Sequence, residues 1–217
     1  MFRRTRAGIE SHFGPAEADL LSYLLDELDG MLTKEQGQEH AQDRHQGADE
    51  PSWVRELGLD ESLLAGLGAD DPAPVRIPQD PAMARLLPDG SADEAQAADF
   101  RRFTESEVRA AKRRQIAVVR RMLARSPKPV LSGEEAQALT RVLTDLRLVI
   151  ATRLGIEDEV DAGQVEEYVI RGERDHDAQY HWMAHVYDHL GYLQEVLTGV
   201  LLEGLDNAGD GRRQPPA

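Results

Sequence analysis

Residues 132–155 read SGEEAQALTRVLTDLRLVIATRLG, and they carry clear signals of an α-helix at both ends and along one face. Ser132 and Glu135 form a capping box, in which the hydroxyl and the carboxylate each accept a hydrogen bond from a backbone amide at the start of a helix. Gly155 is the residue type that ends helices in a left-handed conformation. Between these ends, apolar residues recur at three- and four-residue spacing, which predicts a helix with one buried face: Leu139, Val142, Leu143, Leu146, Val149, Ile150 and Leu154.

Three further stretches carry helical signals. Pro15 suits the first position of a helix, and leucines follow it at helical spacing up to Leu32. We predict a mainly α fold in which the helices at 15–32, 104–125, 133–154 and 177–205 pack as one bundle, with five to seven helices in all. Residues 2–13 are compatible with a short N-terminal β-hairpin that turns at Ala7-Gly8.

The remaining segments set the boundaries of the domain. We predict a single helical domain over residues 1–205. Residues 34–51 are polar and without periodicity, which predicts a disordered loop. The Pro-rich residues 68–80 predict an extended connector, the acidic residues 157–164 a further connector, and residues 206–217 a disordered tail.

Composition excludes several classes of function. The 217 residues contain no cysteine, so disulfides, thiolate catalysis and zinc-thiolate sites are excluded. No apolar run approaches the roughly 20 residues of a membrane span, and no secretory leader is evident, so we expect a cytoplasmic protein without a membrane partner. The net charge of −15 disfavours bulk attraction to nucleic acid, although a local basic patch can still act.

Such a patch is predicted in the helix 104–125, which a second capping box at Thr104 and Glu107 could begin. On a helical wheel its arginines fall on one arc opposite the apolar residues. The predicted partner-binding residues are Arg109, Arg113, Arg114, Arg120, Arg121 and Arg125. We call this set the arginine arc.

Three interpretations of the arginine arc remain open. It could pair with acids of the same fold, for instance Glu134, Glu135 and the run 157–161. It could bind an acidic protein of the transcription or proteolysis machinery. It could bind DNA, which is less favoured because residues 101–128 carry +8 and leave −23 for the rest of the chain.

Two other groups of side chains are candidate sites. Arg147 and Arg153 interrupt an apolar helix, so we predict a structural buried salt bridge, with an anion or partner site as the alternative. His181 and His185 are one helical turn apart and are weak candidates for metal ligands, because a third ligand must come from elsewhere. We therefore predict no metal and no cofactor. No phosphate-binding loop, nucleophile elbow or His-Glu-x-x-His run is present, so we predict that the protein is not an enzyme.

Four blocks of the sequence resemble a known family. They are FRRTRAGIESHFGPAEADLLSYLLDEL (2–28), DPAMARLLPDGSADEAQAADFRRFTESEVRAAK (80–112), LTDLRLVIATRLGI (143–156) and YLQEVLTGVLL (192–202). The resemblance is to the actinobacterial domain of unknown function DUF2017, which includes an oxidative-stress transcriptional regulator. It implies a housekeeping or stress-regulatory setting, and it assigns no catalytic residue. Our first hypothesis is a cytoplasmic, non-enzymatic regulator that acts through protein contacts. A thiol switch is excluded in this chain, which has no cysteine.

Overall fold

The computed structural model describes residues 2–43, 78–172 and 176–210. In these ranges the chain forms six α-helices and a three-stranded antiparallel sheet, which confirms the predicted mainly helical class and the hairpin. The strands are β1 (Phe2–Thr5), β2 (Gly8–Ser11) and β3 (Val130–Leu131). The helices are α1 (Pro15–Asp43), α2 (Pro81–Leu86), α3 (Glu94–Arg125), α4 (Gly133–Leu154), α5 (Glu159–Arg171) and α6 (Ala178–Asp210).

Helix α4 lies at the centre of the fold and packs against α6, α3 and α2. Its predicted ends are confirmed: the Ser132 hydroxyl accepts from the Glu135 amide, and the Glu135 carboxylate accepts from the Ser132 amide. Gly155 ends the helix with φ of +76°. Because local hydrogen bonds set both ends of the helix, these ends can be predicted from the sequence alone.

Helix α1 is longer than expected. It begins at Pro15 as predicted, but it continues to Asp43, so the disordered loop predicted for residues 34–51 is wrong for residues 34–43. Lys, Glu, Gln and Ala dominate this extension, and these residues prolong an existing helix at little cost even without an apolar face. The other part of the predicted loop, 44–51, lies outside the described residues.

Helix α3 is continuous through the position where the sequence suggests a new start. Asp93 caps it by accepting from the Gln96 amide. Thr104 instead donates to the Phe100 carbonyl in the middle of the helix, so the predicted capping box at Thr104 is wrong. Phe100 and Phe103, on the first half of this helix, are exposed. A helix end depends on whether the preceding turn is already helical, which a motif alone does not reveal.

The small sheet holds the chain start against the bundle. β1 and β2 pair as the predicted hairpin, but the turn lies at Arg6-Ala7, one residue earlier than expected. Gly8 is the first residue of β2 and has a φ of +140°. The sequence analysis missed β3, which pairs Ile9 with Leu131. Two strand residues between Pro129 and Ser132 are too few to show an alternating pattern.

Two boundaries after α4 also differ from expectation. The predicted acidic connector over 157–164 is wrong, because α5 begins at Glu159 with Asp158 as its cap. α5 rests on a small cluster that includes Ile156, Val165 and Tyr168. Helix α6 extends to Asp210, so the predicted tail over 206–217 is wrong for residues 206–210, and residues 211–217 lie outside the described part of the chain.

The Pro-rich connector predicted for residues 68–80 falls mostly on residues that the structure does not describe. Its last residues, 78–80, are described and are not helical. Asp80 caps α2 by accepting from the Ala82 amide, and Pro81 occupies the first helical position. Across the described ranges, no helix has the length and apolar character needed to cross a membrane.

Candidate functional site

Arg109 does not belong to an exposed arc. Its side chain is only 1% exposed, and its Nε and Nη2 atoms lie 2.8 and 2.6 Å from Oε1 of Glu105, one turn earlier on α3. Nη1 donates to the carbonyl of Leu32 on α1 at 3.3 Å. The prediction that Arg109 binds a partner is therefore wrong, because α1 covers this part of α3.

Glu105 links two buried arginines. Besides Arg109 it accepts from Arg101, which is 6% exposed and also pairs with Asp89. A buried guanidinium needs such carboxylates, since its desolvation is otherwise uncompensated. This network ties α3 to α1 and to the loop before α3, and no ligand is needed to complete it.

Two other arginines of the arc bind acids on α1. Arg113 Nε lies 2.8 Å from Asp29 Oδ1, and Arg120 Nη1 lies 3.1 Å from Asp29 Oδ2. Arg120 also donates to Asp26 at 2.6 Å. Desolvation tends to raise the pKa of Asp29, but the hydrogen bonds and charges of the two arginines together outweigh it, so the pKa lies below its ordinary value.

The rest of the arc is mostly paired as well. Arg114 binds Glu107 at 2.8 Å, and Arg125 binds Glu135 at 3.0 Å, the acid that the sequence analysis named as a possible internal partner. Arg121 is exposed and forms no ion pair with any residue that the structure describes. Of the three interpretations left open by the sequence, the geometry favours internal pairing.

An open groove lies between α5 and α6 and has a volume of about 1010 Å³. Small residues from both helices leave it open, among them Ala162 and Gly163 on α5 and Gly199 on α6. Exposed Tyr192 and Leu202 add apolar surface along α6. We call this feature the α5–α6 groove.

The α5–α6 groove is lined by carboxylates. Glu159 and Glu166 come from α5, and Asp188 and Glu195 come from α6. All four are exposed, and none forms an ion pair with another described residue. The internal pairing that neutralises the arginine arc thus has no counterpart here, and the groove presents a negative surface.

Arg147 of α4 reaches the floor of this groove. Nη1 donates to the side-chain oxygen of Gln194 at 3.0 Å, and Nη2 donates to the hydroxyl of Tyr187 at 3.1 Å. Its guanidinium carbon also lies 4.8 Å from the centre of the Tyr187 ring. Nε is buried and has no hydrogen-bond partner among the described residues. The buried salt bridge predicted for Arg147 is therefore wrong.

Arg153 does form a salt bridge, but not a buried one. Its Nη2 lies 2.5 Å from Asp80 Oδ2, and its side chain is 43% exposed. Burial tends to raise the pKa of Asp80, yet the Arg153 contact and backbone amides hold that pKa below its ordinary value. The pair fixes the start of α2 against the end of α4.

The histidines of α6 do not assemble a metal centre from described residues. The rings of His181 and His185 are 4.4 Å apart, and His181 Nδ1 lies 3.3 Å from the Tyr168 hydroxyl. No group of three or more His, Cys, Asp or Glu able to hold an ion occurs within 2–43, 78–172 and 176–210. His181 and His185 thus pack beside the α5–α6 contact.

The sequence analysis did not identify the α5–α6 groove, although a signal was present. Residues 175–211 contain no lysine or arginine. On α6, Asp188, Gly191, Glu195 and Gly199 are spaced by three or four residues and therefore share one face. A stretch of acids without nearby bases is therefore the sequence signal that indicates this groove.

Comparison with known proteins confirms the family resemblance. A family model described as "Domain of unknown function (DUF2017)" matches residues 1–201. No curated protein and no solved structure matches the chain. The matched range includes α4, α5 and almost all of the α5–α6 groove.

Proposed function

The chain belongs to the DUF2017 family, whose description names no activity, and we propose that it is a cytoplasmic, non-enzymatic regulatory protein that acts through protein–protein contacts. The observation that carries this proposal is the α5–α6 groove, whose four carboxylates form no ion pair with any other residue in the described ranges. The setting we propose, actinobacterial transcriptional or stress regulation, rests on the resemblance described above.

The partner that best complements this groove is a basic, partly apolar protein segment. Four carboxylates on one surface attract cationic side chains and disfavour acidic partners and nucleic acid. Tyr192 and Leu202, at 53% and 56% exposure, offer apolar contact along the same helix. Aromatic side chains are common anchors at protein interfaces. A regulator that binds its target here would act by covering a basic surface of that target.

An acidic partner at the arginine arc is less well supported. Arg109 is buried, and Arg113, Arg114, Arg120 and Arg125 already bind carboxylates, so an acidic partner would have to displace them. The alternative of direct DNA binding by helix 104–125 faces the same obstacle. Arg121 is the exposed member of the arc without an ion pair in the described ranges, and one arginine does not make a phosphate-binding surface.

The proposal is tested by a matched pair of charge variants. E166Q/D188N/E195Q neutralises three carboxylates of the groove, and D19N/E27Q/E134Q neutralises three exposed acids elsewhere. Cross-linking in the native cytoplasm identifies the partner, and binding is then measured with the purified partner. We expect a basic partner that the control variant still binds and the groove variant does not. Equal retention by both variants would refute the groove as the contact surface.

A third variant tests the arginine arc. R113E/R120E/R121E should lower the thermal midpoint, because it removes internal pairs and places new acids beside Asp29 and Asp26. It should leave partner recovery through the groove intact once the protein is folded. Loss of the partner without loss of stability would favour the acidic-partner interpretation, and tight, salt-dependent retardation of duplex DNA by the wild type would favour the DNA-binding one.

A further inference from the structure

Arg147 is a cation whose hydrogen-bond partners in the described fold are all neutral. They are the Gln194 amide oxygen and the Tyr187 hydroxyl, with the Tyr187 ring beside the guanidinium. The other arginines drawn into the fold, Arg101 and Arg109, have carboxylates. A partly buried guanidinium that lacks a carboxylate is an incomplete arrangement, because charged acceptors bind guanidinium more strongly than neutral ones.

The neutral partners hold the Arg147 side chain in place but do not neutralise its charge. The Gln194 side chain is fixed, because its Nε2 donates to the Thr144 hydroxyl at 2.9 Å while its oxygen accepts from Arg147. Gly191 brings the backbone of α6 close to the guanidinium, since a Cβ there would lie 3.6 Å from Cζ. The guanidinium is therefore held at the groove floor before any ligand arrives.

Donors remain available at this position. A guanidinium has five N–H groups, and Gln194 and Tyr187 use one on Nη1 and one on Nη2. The second N–H on each of these atoms is left, and a charged acceptor such as a carboxylate suits such donors. Tyr187 accepts from Arg147 through its oxygen, so its own O–H can donate as well.

The acids around the groove restrict what can bind there. Glu159, Glu166, Asp188 and Glu195 repel a simple anion, so Arg147 alone would not collect phosphate or acetate from solution. A ligand that presents a carboxylate to Arg147 and cationic groups to the four acids is attracted by Arg147 and by the acids. The chemistry that fits is therefore zwitterionic.

We propose that Arg147, with Tyr187, receives the C-terminal carboxylate of a basic peptide segment lying in the α5–α6 groove. This inference rests on the proposed function and specifies the partner: a chain that ends in the groove, with Lys or Arg just before its terminus. The groove volume of about 1010 Å³ is at the upper end of the range for small-molecule sites, which favours a segment of several residues over a single amino acid.

The test uses one peptide in two forms and the full-length protein. The hexapeptide Lys-Leu-Lys-Arg-Leu-Lys is made with a free C-terminal carboxylate and as the C-terminal amide, and binding is measured by calorimetry at low ionic strength. We expect the free acid to bind the wild type about tenfold more tightly than the amide, the gain typical of one charge-assisted pair. R147Q should bring the ratio close to one, and Y187F should reduce it part of the way.

The groove variant separates the two proposals. E166Q/D188N/E195Q should weaken both forms of the peptide by a similar factor and keep their ratio. Equal binding of the acid and the amide by the wild type would overturn the role of Arg147 and leave the groove proposal standing. Failure of the wild type to bind either form, or binding that the groove variant does not weaken, would overturn both.

Two further measurements make the result independent of the folding of R147Q. In the nitrogen-15 labelled wild type, the Nε–Hε resonance of Arg147 should shift with the free acid and not with the amide; no difference between the two would contradict the proposal. Free arginine is the second probe, because it carries the same groups on one amino acid. If free arginine binds as tightly as the hexapeptide, the ligand is a small zwitterion. That result would overturn the proposal that the site binds the C-terminus of a peptide.

Discussion

Arg113 of α3 and Asp29 of α1 are 84 positions apart in the sequence, and their side chains meet with Nε 2.8 Å from Oδ1. Arg120, about two turns later on α3, binds the second oxygen of the same carboxylate. One acid of α1 thus holds two arginines that the sequence assigned to a partner. Asp29 thus neutralises part of the positive charge of α3 within the fold.

Replacement of Asp29 by Asn should lower the free energy of unfolding at pH 7 by about 1 kcal/mol, since partly exposed pairs contribute roughly 0–1 kcal/mol each. The pKa of Asp29 is lowered in the folded state, so its contribution is present above the unfolded pKa of about 3.9 and is lost as pH falls through the lower folded value. Urea unfolding at pH 7, 4 and 3 should therefore show the wild type and D29N converging in acid. A constant difference down to pH 3 would contradict this assignment.

Arg109→Gln should be among the most destabilising changes on α3, at about 3–5 kcal/mol, because it breaks a buried ion pair and a contact with the Leu32 carbonyl. The matched control is Arg121→Gln, which alters an exposed side chain and should stay within about 0.5 kcal/mol. Denaturant unfolding measures both. Similar small effects for the two variants would contradict the burial of Arg109 and indicate that its side chain is exposed.

Gly155→Ala should destabilise the protein by about 1 kcal/mol or more, because Gly155 ends α4 with φ of +76° and alanine is strained in that region. Gly30→Ala is the control, since it places a methyl group in open space inside α1 and should stabilise the helix by about 0.5–1 kcal/mol. The thermal midpoints should move in opposite directions. A shift of both in the same direction would show that helix propensity outweighs the cap.

Purified protein should contain no stoichiometric zinc, iron or manganese. His181 and His185 supply two imidazoles, and the described residues supply no third ligand beside them. Elemental analysis of the wild type and of H181A/H185A makes the check. About one metal per chain in the wild type, lost in the variant, would revive an enzymatic role for α6.

Some features of this protein were determined by the sequence alone. The capping box at Ser132, the left-handed cap at Gly155, the start of α1 at Pro15 and the presence of an N-terminal hairpin were all predicted correctly. Each depends on hydrogen bonds or backbone angles among residues a few positions apart, so the physical cause lies within the stretch that was examined. The absence of cysteine chemistry is of the same kind, since composition decides it.

Other features were decided only by the tertiary structure. Helix α3 is amphipathic in sequence, with its arginines on one face. In the fold, α1 packs against that face, buries Arg109, and supplies Asp26 and Asp29 as partners. Neither α3 nor α1 encodes that encounter by itself, because which side chains meet across two helices depends on their crossing and register. The α5–α6 groove and the neutral surroundings of Arg147 arise in the same way. Local order follows from neighbours along the chain, whereas the charges left for a partner are those that packing leaves unpaired.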